Sequence, residues 1–223
     1  MSYLTRMPIN AARRQARLLL TSRQAMHAAV LSGFAPGSGF EDERVLWRVD
    51  AGADRRTTLY IVSPERPDLT HLVEQAGWPT TSAWETREYD ALLARLNDGQ
   101  RWLFRLAANP VHTARLDDGR VKRLGHVTVA QQETWLRDRA GTSGFEVVGD
   151  PNADLLVSRR ERVRFRRGEA TVTLDVAQFD GQLVVTDAAA LRHALVAGIG
   201  RAKGYGCGLL TLAPLSAAER TGG

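Results

Sequence analysis

Residues 45–63 read Val45-Leu46-Trp47-Arg48-Val49-Asp50-Ala51-Gly52-Ala53-Asp54-Arg55-Arg56-Thr57-Thr58-Leu59-Tyr60-Ile61-Val62-Ser63. Two runs rich in β-branched and aromatic residues, Val45–Asp50 and Thr57–Ser63, flank a Gly-Ala-Asp turn, the pattern of a β-hairpin. Pro64 and Pro67 end it. Toward the N-terminus, residues 2–8 alternate as a strand. Ser22 is placed to cap a helix that runs to about Leu31, with Gly33 just beyond its end. Asn10–Leu20 is rich in Ala, Arg and Leu and reads as a loop or a helical turn. Residues 34–42 form a loop. Toward the C-terminus, residues 68–76 read as a short helix and 81–89 alternate as a strand. The order is strand, helix, strand, strand, helix, strand.

That order then returns. Arg101–Ala107 is a strand with Trp102, Phe104 and Leu106 on one face, and 129–139 is a helix carrying Trp135 and Leu136. Val157–Phe165 and Ala170–Val176 are strands joined at Arg167-Gly168-Glu169. Leu183–Val185 is strand-like, Asp187–Ala197 is a helix and Gly208–Leu212 is a last strand. Residues 214–223 make a small polar tail. The halves share no detectable sequence identity, only element order. Two such units predict an α+β chain of tandem ferredoxin-like (βαββαβ) domains. We place them at 1–95 and 100–214.

A chain of 223 residues can bury roughly 70% of the surface it exposes unfolded. Hydrophobic residues at 43% and charged residues at 25% are ordinary for a globular protein and exclude wholesale disorder. The apolar runs Leu18–Leu20 and Ala194–Ala197 fall far short of the roughly 20 residues a membrane-spanning helix needs. Arg13, Arg14 and Arg17 precede only a short apolar run with no cleavage pattern, so no secretory signal is read. The single cysteine, Cys207, excludes an internal disulfide and a cysteine-cluster zinc site. The expected compartment is the cytoplasm.

The net charge is +5, and only Lys122 and Lys203 among the 30 basic residues are lysine. Arginine presents a planar fork suited to phosphates and guanine edges. The charge is concentrated. Residues 159–167, Arg-Arg-Glu-Arg-Val-Arg-Phe-Arg-Arg, hold six arginines and one glutamate. On a strand, Arg160, Arg162, Arg164 and Arg166 share one face, and Val163 and Phe165 share the other, free to pack on the core. A two-stranded ribbon with that outer face suits a nucleic-acid groove. The competing reading is a solvated edge strand blunted by charge.

The segment Gly198-Ile199-Gly200-Arg201-Ala202-Lys203-Gly204-Tyr205-Gly206-Cys207-Gly208 carries five glycines in eleven residues. It follows a helix and precedes a strand, the wrong order for a dinucleotide fingerprint, and Lys203 lacks the neighbours of a P-loop lysine. Glycines let backbone approach a ligand closely, Arg201 and Lys203 add charge, and successive amides can form an anion nest. The competing reading is a connection between helix and strand. The histidines at 27, 71, 112, 126 and 193 show no metal-ligand spacing, so no metal or other cofactor is expected. Arg23, Gln24 and His27 form a polar stripe beside the apolar Met26, Ala29 and Val30 on the helix that follows Ser22.

With these residues in view, the chain resembles the CasE family, the CRISPR-associated precursor-RNA endoribonucleases of the type I-E system. The resemblance spans the whole chain. It rests on Phe104-Arg105-Leu106-Ala107-Ala108-Asn109-Pro110-Val111 and on Gly198 to Lys203 running into Gly206-Cys207-Gly208-Leu209-Leu210-Thr211-Leu212-Ala213-Pro214. Gln132 to Leu136, ending in Trp-Leu, and Phe179-Asp180-Gly181 also match. It implies two ferredoxin-like domains of the glycine-rich-loop superfamily. It also implies binding of a CRISPR repeat hairpin, metal-free cleavage at the base of the stem, and retention as a subunit of Cascade. The family's catalytic histidine lies on the first helix, where this chain has His27. Members often carry a tyrosine three residues earlier, where this chain has Gln24, which can hydrogen-bond a phosphate but cannot transfer a proton.

The resulting expectation is a metal-independent, site-specific endoribonuclease. Its catalytic group is His27, with Gln24 and Lys203. RNA contacts are assigned to Arg23, Arg159, Arg160, Arg162, Arg164, Arg166, Arg167, Gly198, Gly200, Arg201, Lys203 and Gly204. The partners are the repeat RNA hairpin and other Cascade subunits, with no membrane. The alternative is a non-catalytic RNA-binding subunit that caps the guide hairpin. A third reading is a ferredoxin-like module holding a small anion in the glycine segment, which leaves the arginine ribbon without a role.

Overall fold

The computed structural model describes residues 1–35, 44–52, 56–78, 84–115, 119–149 and 155–215. The chain forms two units. The first comprises Met1–Arg95 and Lys203–Leu209, and the second Leu96–Ala202 and the chain from Leu210 onward. Lys203–Leu209, which lies within the C-terminal span drawn from the sequence, therefore groups with the N-terminal half.

In the first unit, strands β1 (Tyr3–Ile9), β2 (Leu46–Ala51), β3 (Thr57–Ser63) and β4 (Glu85–Glu88) make one antiparallel sheet in the order β2-β3-β1-β4. The hairpin read at 45–63 is β2–β3, with Leu46 opposite Val62 and Ala51 opposite Thr57. Gly52 N–H donates to the Arg56 carbonyl at 2.7 Å and closes it. Ala53 and Asp54 of the expected turn lie outside the described residues, as do residues 36–42 of the expected loop, the start of the 81–89 strand and most of the C-terminal tail. Helices α1 (Arg14–Thr21) and α2 (Arg23–Leu31) follow β1, α3 (Thr70–Ala76) follows β3, and the short α4 (Asp90–Leu93) follows β4. Ser22 caps α2 as expected, its side chain accepting from Ala25 N–H.

Helix α1 replaces the loop or turn read at Asn10–Leu20. Its composition favours a helix, and Ala16 and Leu19 bury an i, i+3 stripe. Its start carries no signal, because the N-cap position is Arg13, whose side chain makes no cap bond. That guanidinium is used elsewhere. It donates to the carbonyls of Val73, Glu74 and Gly77 at the end of α3, where unsatisfied helix acceptors gather. Alternate residues Met7 and Ile9 of β1 and Leu59 and Ile61 of β3 face Met26, Val30 and Leu72 from the helices, with Trp47 of β2 beside them.

The second unit holds β5 (Arg101–Ala108), β6 (Val111–Arg115), β7 (Val121–Gly125), α5 (Val129–Thr142), β8 (Phe145–Val148), β9 (Leu155–Arg167), β10 (Ala170–Val185), α6 (Ala188–Ala197) and β11 (Leu210–Ala213). Its main sheet runs β11-β5-β10-β8, with β9 also on β10. β8 pairs with Gln182–Val185 of β10, and β9 pairs with most of Ala170–Gly181. The two share one edge of β10 in succession. Both units thus place the fourth, first, third and second ferredoxin strands side by side, and the tandem ferredoxin-like architecture is established. Two expected strands, Ala170–Val176 and Leu183–Val185, prove to be one. Their pattern is interrupted because Val176, Ala177, Gln178 and Phe179 are buried in succession. The β6–β7 hairpin and β8 are absent from the sequence reading. Most β6–β7 side chains are exposed, so no alternation marks them, and β8 has only four residues. Helix α5 starts with a capping box between Thr128 and Gln131. Asp187 caps α6, accepting from Ala189 and Ala190 N–H. No described helix is long and apolar enough to cross a membrane.

One buried ion pair stands out in the first unit. Arg48 on β2 is 2% exposed and Asp50 is 8% exposed. Arg48 Nε donates to Asp50 Oδ1 at 2.7 Å and Nη2 to Oδ2 at 2.9 Å. Its Nη1 donates to the Leu209 carbonyl at 2.8 Å. Arg48→Met leaves the Asp50 carboxylate buried without its counter-ion and should cost about 3–5 kcal/mol in urea unfolding. Arg48→Met/Asp50→Leu should recover most of that loss. Equal losses in the single and double variants would show that the two charges are not coupled.

Candidate active site and nucleic-acid interface

Helix α2 presents Arg23, Gln24 and His27 one turn apart, with Met26 and Val30 buried on its other side. The segment Lys203–Leu209 begins with a 3-10 turn, Lys203–Tyr205, and that turn lies on α2. Arg23 Nη1 donates to the Tyr205 carbonyl at 2.7 Å. The His27 ring rests on Gly204: a Cβ added there would stand 3.3 Å from both Cε1 and Nε2. The Tyr205 ring lies 6.2 Å from the imidazole, centre to centre, at 58°. Arg23, His27, Lys203, Gly204 and Tyr205 therefore form one cluster on α2. Gln24 is exposed.

Burial, and then the nearby Arg44, push the Lys203 ammonium below its usual range. A half-buried cation in the turn that seats an imidazole supplies two things that phosphodiester chemistry uses. One is a group that can take or give a proton near neutral pH. The other is positive charge held where little water competes.

Several glycines of the segment lie close against side chains of the chain itself. Gly204 has no positive φ, and what approaches it is His27. Gly206 sits at φ 77°, and a Cβ there would lie 2.7 Å from the Trp47 ring. It lets the segment lie flat on β2. Gly198 and Gly200 belong to the second unit, both at positive φ, with Gly200 against Trp135. Arg201 is exposed beside them. Tyr205 and Arg44 escaped the sequence reading. The signal for Tyr205 is its place between Gly204 and Gly206.

The arginine ribbon is β9 paired with β10. Glu161 pairs with Val176 and Ser158 with Gln178, so Arg159 and Arg160 together oppose Ala177. This is a bulge, and Arg159 takes φ 46° there. The expected free face of four arginines is only partly free. Arg160 donates to the Gln132 side chain and the Val127 carbonyl. Arg162 pairs with Asp175 at 2.6 Å, which raises its pKa further. The cost of exposing so many like charges is reduced by engaging these two within the unit. Arg164, Arg166 and Arg167, beyond the bulge, are exposed. Val163 and Phe165 are half-buried on the opposite face, beside the buried Leu174 and Val176 of β10.

A family model described as CRISPR associated protein matches residues 2–214. The chain is 30% identical over 220 residues to the CRISPR-associated endoribonuclease Cse3 of Thermus thermophilus, covering 95% of this chain and 100% of that protein. It is 31% identical over 179 residues to the Cascade subunit CasE of Escherichia coli, covering 75% and 85% respectively. The structure of Thermus thermophilus Cse3 bound to an RNA representing a pre-cleavage complex superposes with a TM-score of 0.76 at 28% identity, over 96% of this chain and 99% of that one. On its sequence and its fold alike, the chain belongs to the CRISPR-associated protein family.

Proposed function

We propose that this chain is a site-specific endoribonuclease that binds the repeat hairpin of a CRISPR transcript, cuts it, and stays with the product as a Cascade subunit in the cytoplasm. The observation that carries the reading is the His27 imidazole seated on Gly204 beside Lys203, in a chain whose relatives are named as an endoribonuclease and a Cascade subunit.

RNA brings its own nucleophile. The 2′-oxygen forms a bond to the adjacent phosphorus, the bond to the 5′-oxygen breaks, and the products are a 2′,3′-cyclic phosphate and a 5′-hydroxyl. One proton leaves the 2′-hydroxyl and one reaches the 5′-oxygen. His27 handles one of these transfers. Lys203 offsets the extra negative charge on the phosphorane-like transition state. Gln24, exposed one turn before His27, can hold a phosphate oxygen but moves no proton. The outer ribbon arginines, Arg164, Arg166 and Arg167, supply sequence-independent attraction to the phosphates.

Incubation with the cognate hairpin in excess EDTA should yield cleavage. His27→Ala should slow it about 10²–10⁴-fold in single turnover with little change in affinity. Binding without cleavage by the unaltered chain would mark a non-catalytic capping subunit instead.

Gly204→Val pushes a branched side chain into the imidazole. Displacing a catalytic group by about 1 Å can cost roughly 10²-fold, so cleavage should fall by about that factor while the fold survives. Normal cleavage would mean the ring is not positioned by this turn.

Arg164→Ala/Arg166→Ala should lower the salt dependence of hairpin binding by about one unit of slope for each phosphate that is no longer neutralised. Arg162→Ala should change it less, because Asp175 already neutralises that charge. Equal slopes in all variants would make the ribbon a solvated edge.

A further inference from the structure

His112 on β6 and His126 just after β7 lie on the two arms of one hairpin and are adjacent in the second unit. His112 pairs with Leu124, and His126 N–H donates to the Pro110 carbonyl at 2.9 Å, extending the ladder. The two histidines therefore stand on one ribbon face at diagonal positions. Their ring centres are 4.6 Å apart, with the planes inclined at 38°. They form one wall of a cleft of about 570 Å³ whose other wall is α5, with Thr134, Trp135, Asp138 and Arg139. The Nδ1 of His126 is enclosed and has no hydrogen-bond partner among the described residues. Enclosed polar atoms are nearly always paired, and an ion is one of the recognised reasons for an exception.

The spacing of the rings narrows the choice. A zinc–imidazole bond of about 2.0–2.1 Å puts the ion roughly 3.2 Å from each ring centre. Two imidazoles on one ion at roughly 90–110° then have centres about 4.5–5.2 Å apart. We propose that His112 and His126 form a two-imidazole site for a borderline divalent cation, zinc(II) being the type, that clips β6 to β7 at the base of their hairpin.

Three charged groups bear on the pair: Asp138, Arg139 and Lys122. Burial and His112 lower the proton affinity of His126, and Asp138 opposes them. Arg139 lines the same cleft and works against a cation, while Lys122 shares the ribbon face two positions beyond Leu124. No third His, Cys, Asp or Glu among the described residues completes a three-ligand set, so water fills the remaining positions of the ion. The site has a structural use. β6 and β7 form a two-stranded sheet of their own, and a lone hairpin is only marginally stable. The ion has no part in RNA cleavage.

Zinc chloride titrated into tag-free, chelator-treated full-length protein at pH 7.5 should bind at one equivalent with micromolar affinity by calorimetry. His112→Ala and His126→Ala should each weaken it at least about tenfold, and His193→Ala should not. Zinc should slow amide hydrogen exchange at residues 121–125 in the unaltered protein but not in the His112→Ala variant, whose exposed site puts the fold at no risk. Zinc affinity unchanged in both histidine variants, or no binding by the unaltered protein, overturns the proposal.

Discussion

Arg48 is the point on which the candidate site depends. Its guanidinium is buried in the first unit and directs two N–H groups at Asp50 and one at the carbonyl of Leu209. The Tyr60 ring lies beneath it, 5.7 Å from the guanidinium carbon. Two apolar residues of the same volume would hold a sheet face together at least as strongly, since burying an ion pair forfeits hydration on both partners. What the pair supplies is position. A rigid fork that must reach one carboxylate and one carbonyl fixes where the backbone of Leu209 lies, and with it the return of residues 203–209 to α2 and β2. Arg23 fixes the other end through Tyr205. Between these two clamps the chain has little freedom, and His27 meets Gly204 at a set height.

The ribbon shows the opposite economy of charge. Six arginines in nine residues would repel one another if all were solvated at once. The unit engages some of them internally, Arg162 with Asp175 and Arg160 with the region of α5, and leaves the outer three to solvent. The change falls between Arg162 and Arg164, beyond the bulge at Arg159 and Arg160. Leu155 at one end of the strand is buried, and the far end is exposed. Positive charge is therefore least compensated at the outer end.

Hairpin β2–β3, helix α2 with its Ser22 cap and helix α6 were legible because local rules determine them: alternation, capping and turn residues act within a few positions. Helix α1 was not, because Arg13 offers no cap and its guanidinium serves α3 instead. The long β10 reads as two strands because Val176, Ala177, Gln178 and Phe179 are buried in succession, which breaks the alternation on which the reading relies. The exposed β6–β7 ribbon carries no apolar alternation to detect.

Short-range periodicity was enough to establish the βαββαβ order in each half, the presence of Arg23, Gln24 and His27 on one helical stripe, and the concentration of arginine at 159–167. Three other features emerge only once the chain is folded: Gly204 seats an imidazole, Arg160 and Arg162 are already engaged, and His112 stands against His126. Each of these is a meeting of side chains or backbone brought together by strand pairing or by the return of a distant segment. Spacing along the chain carries no record of such meetings.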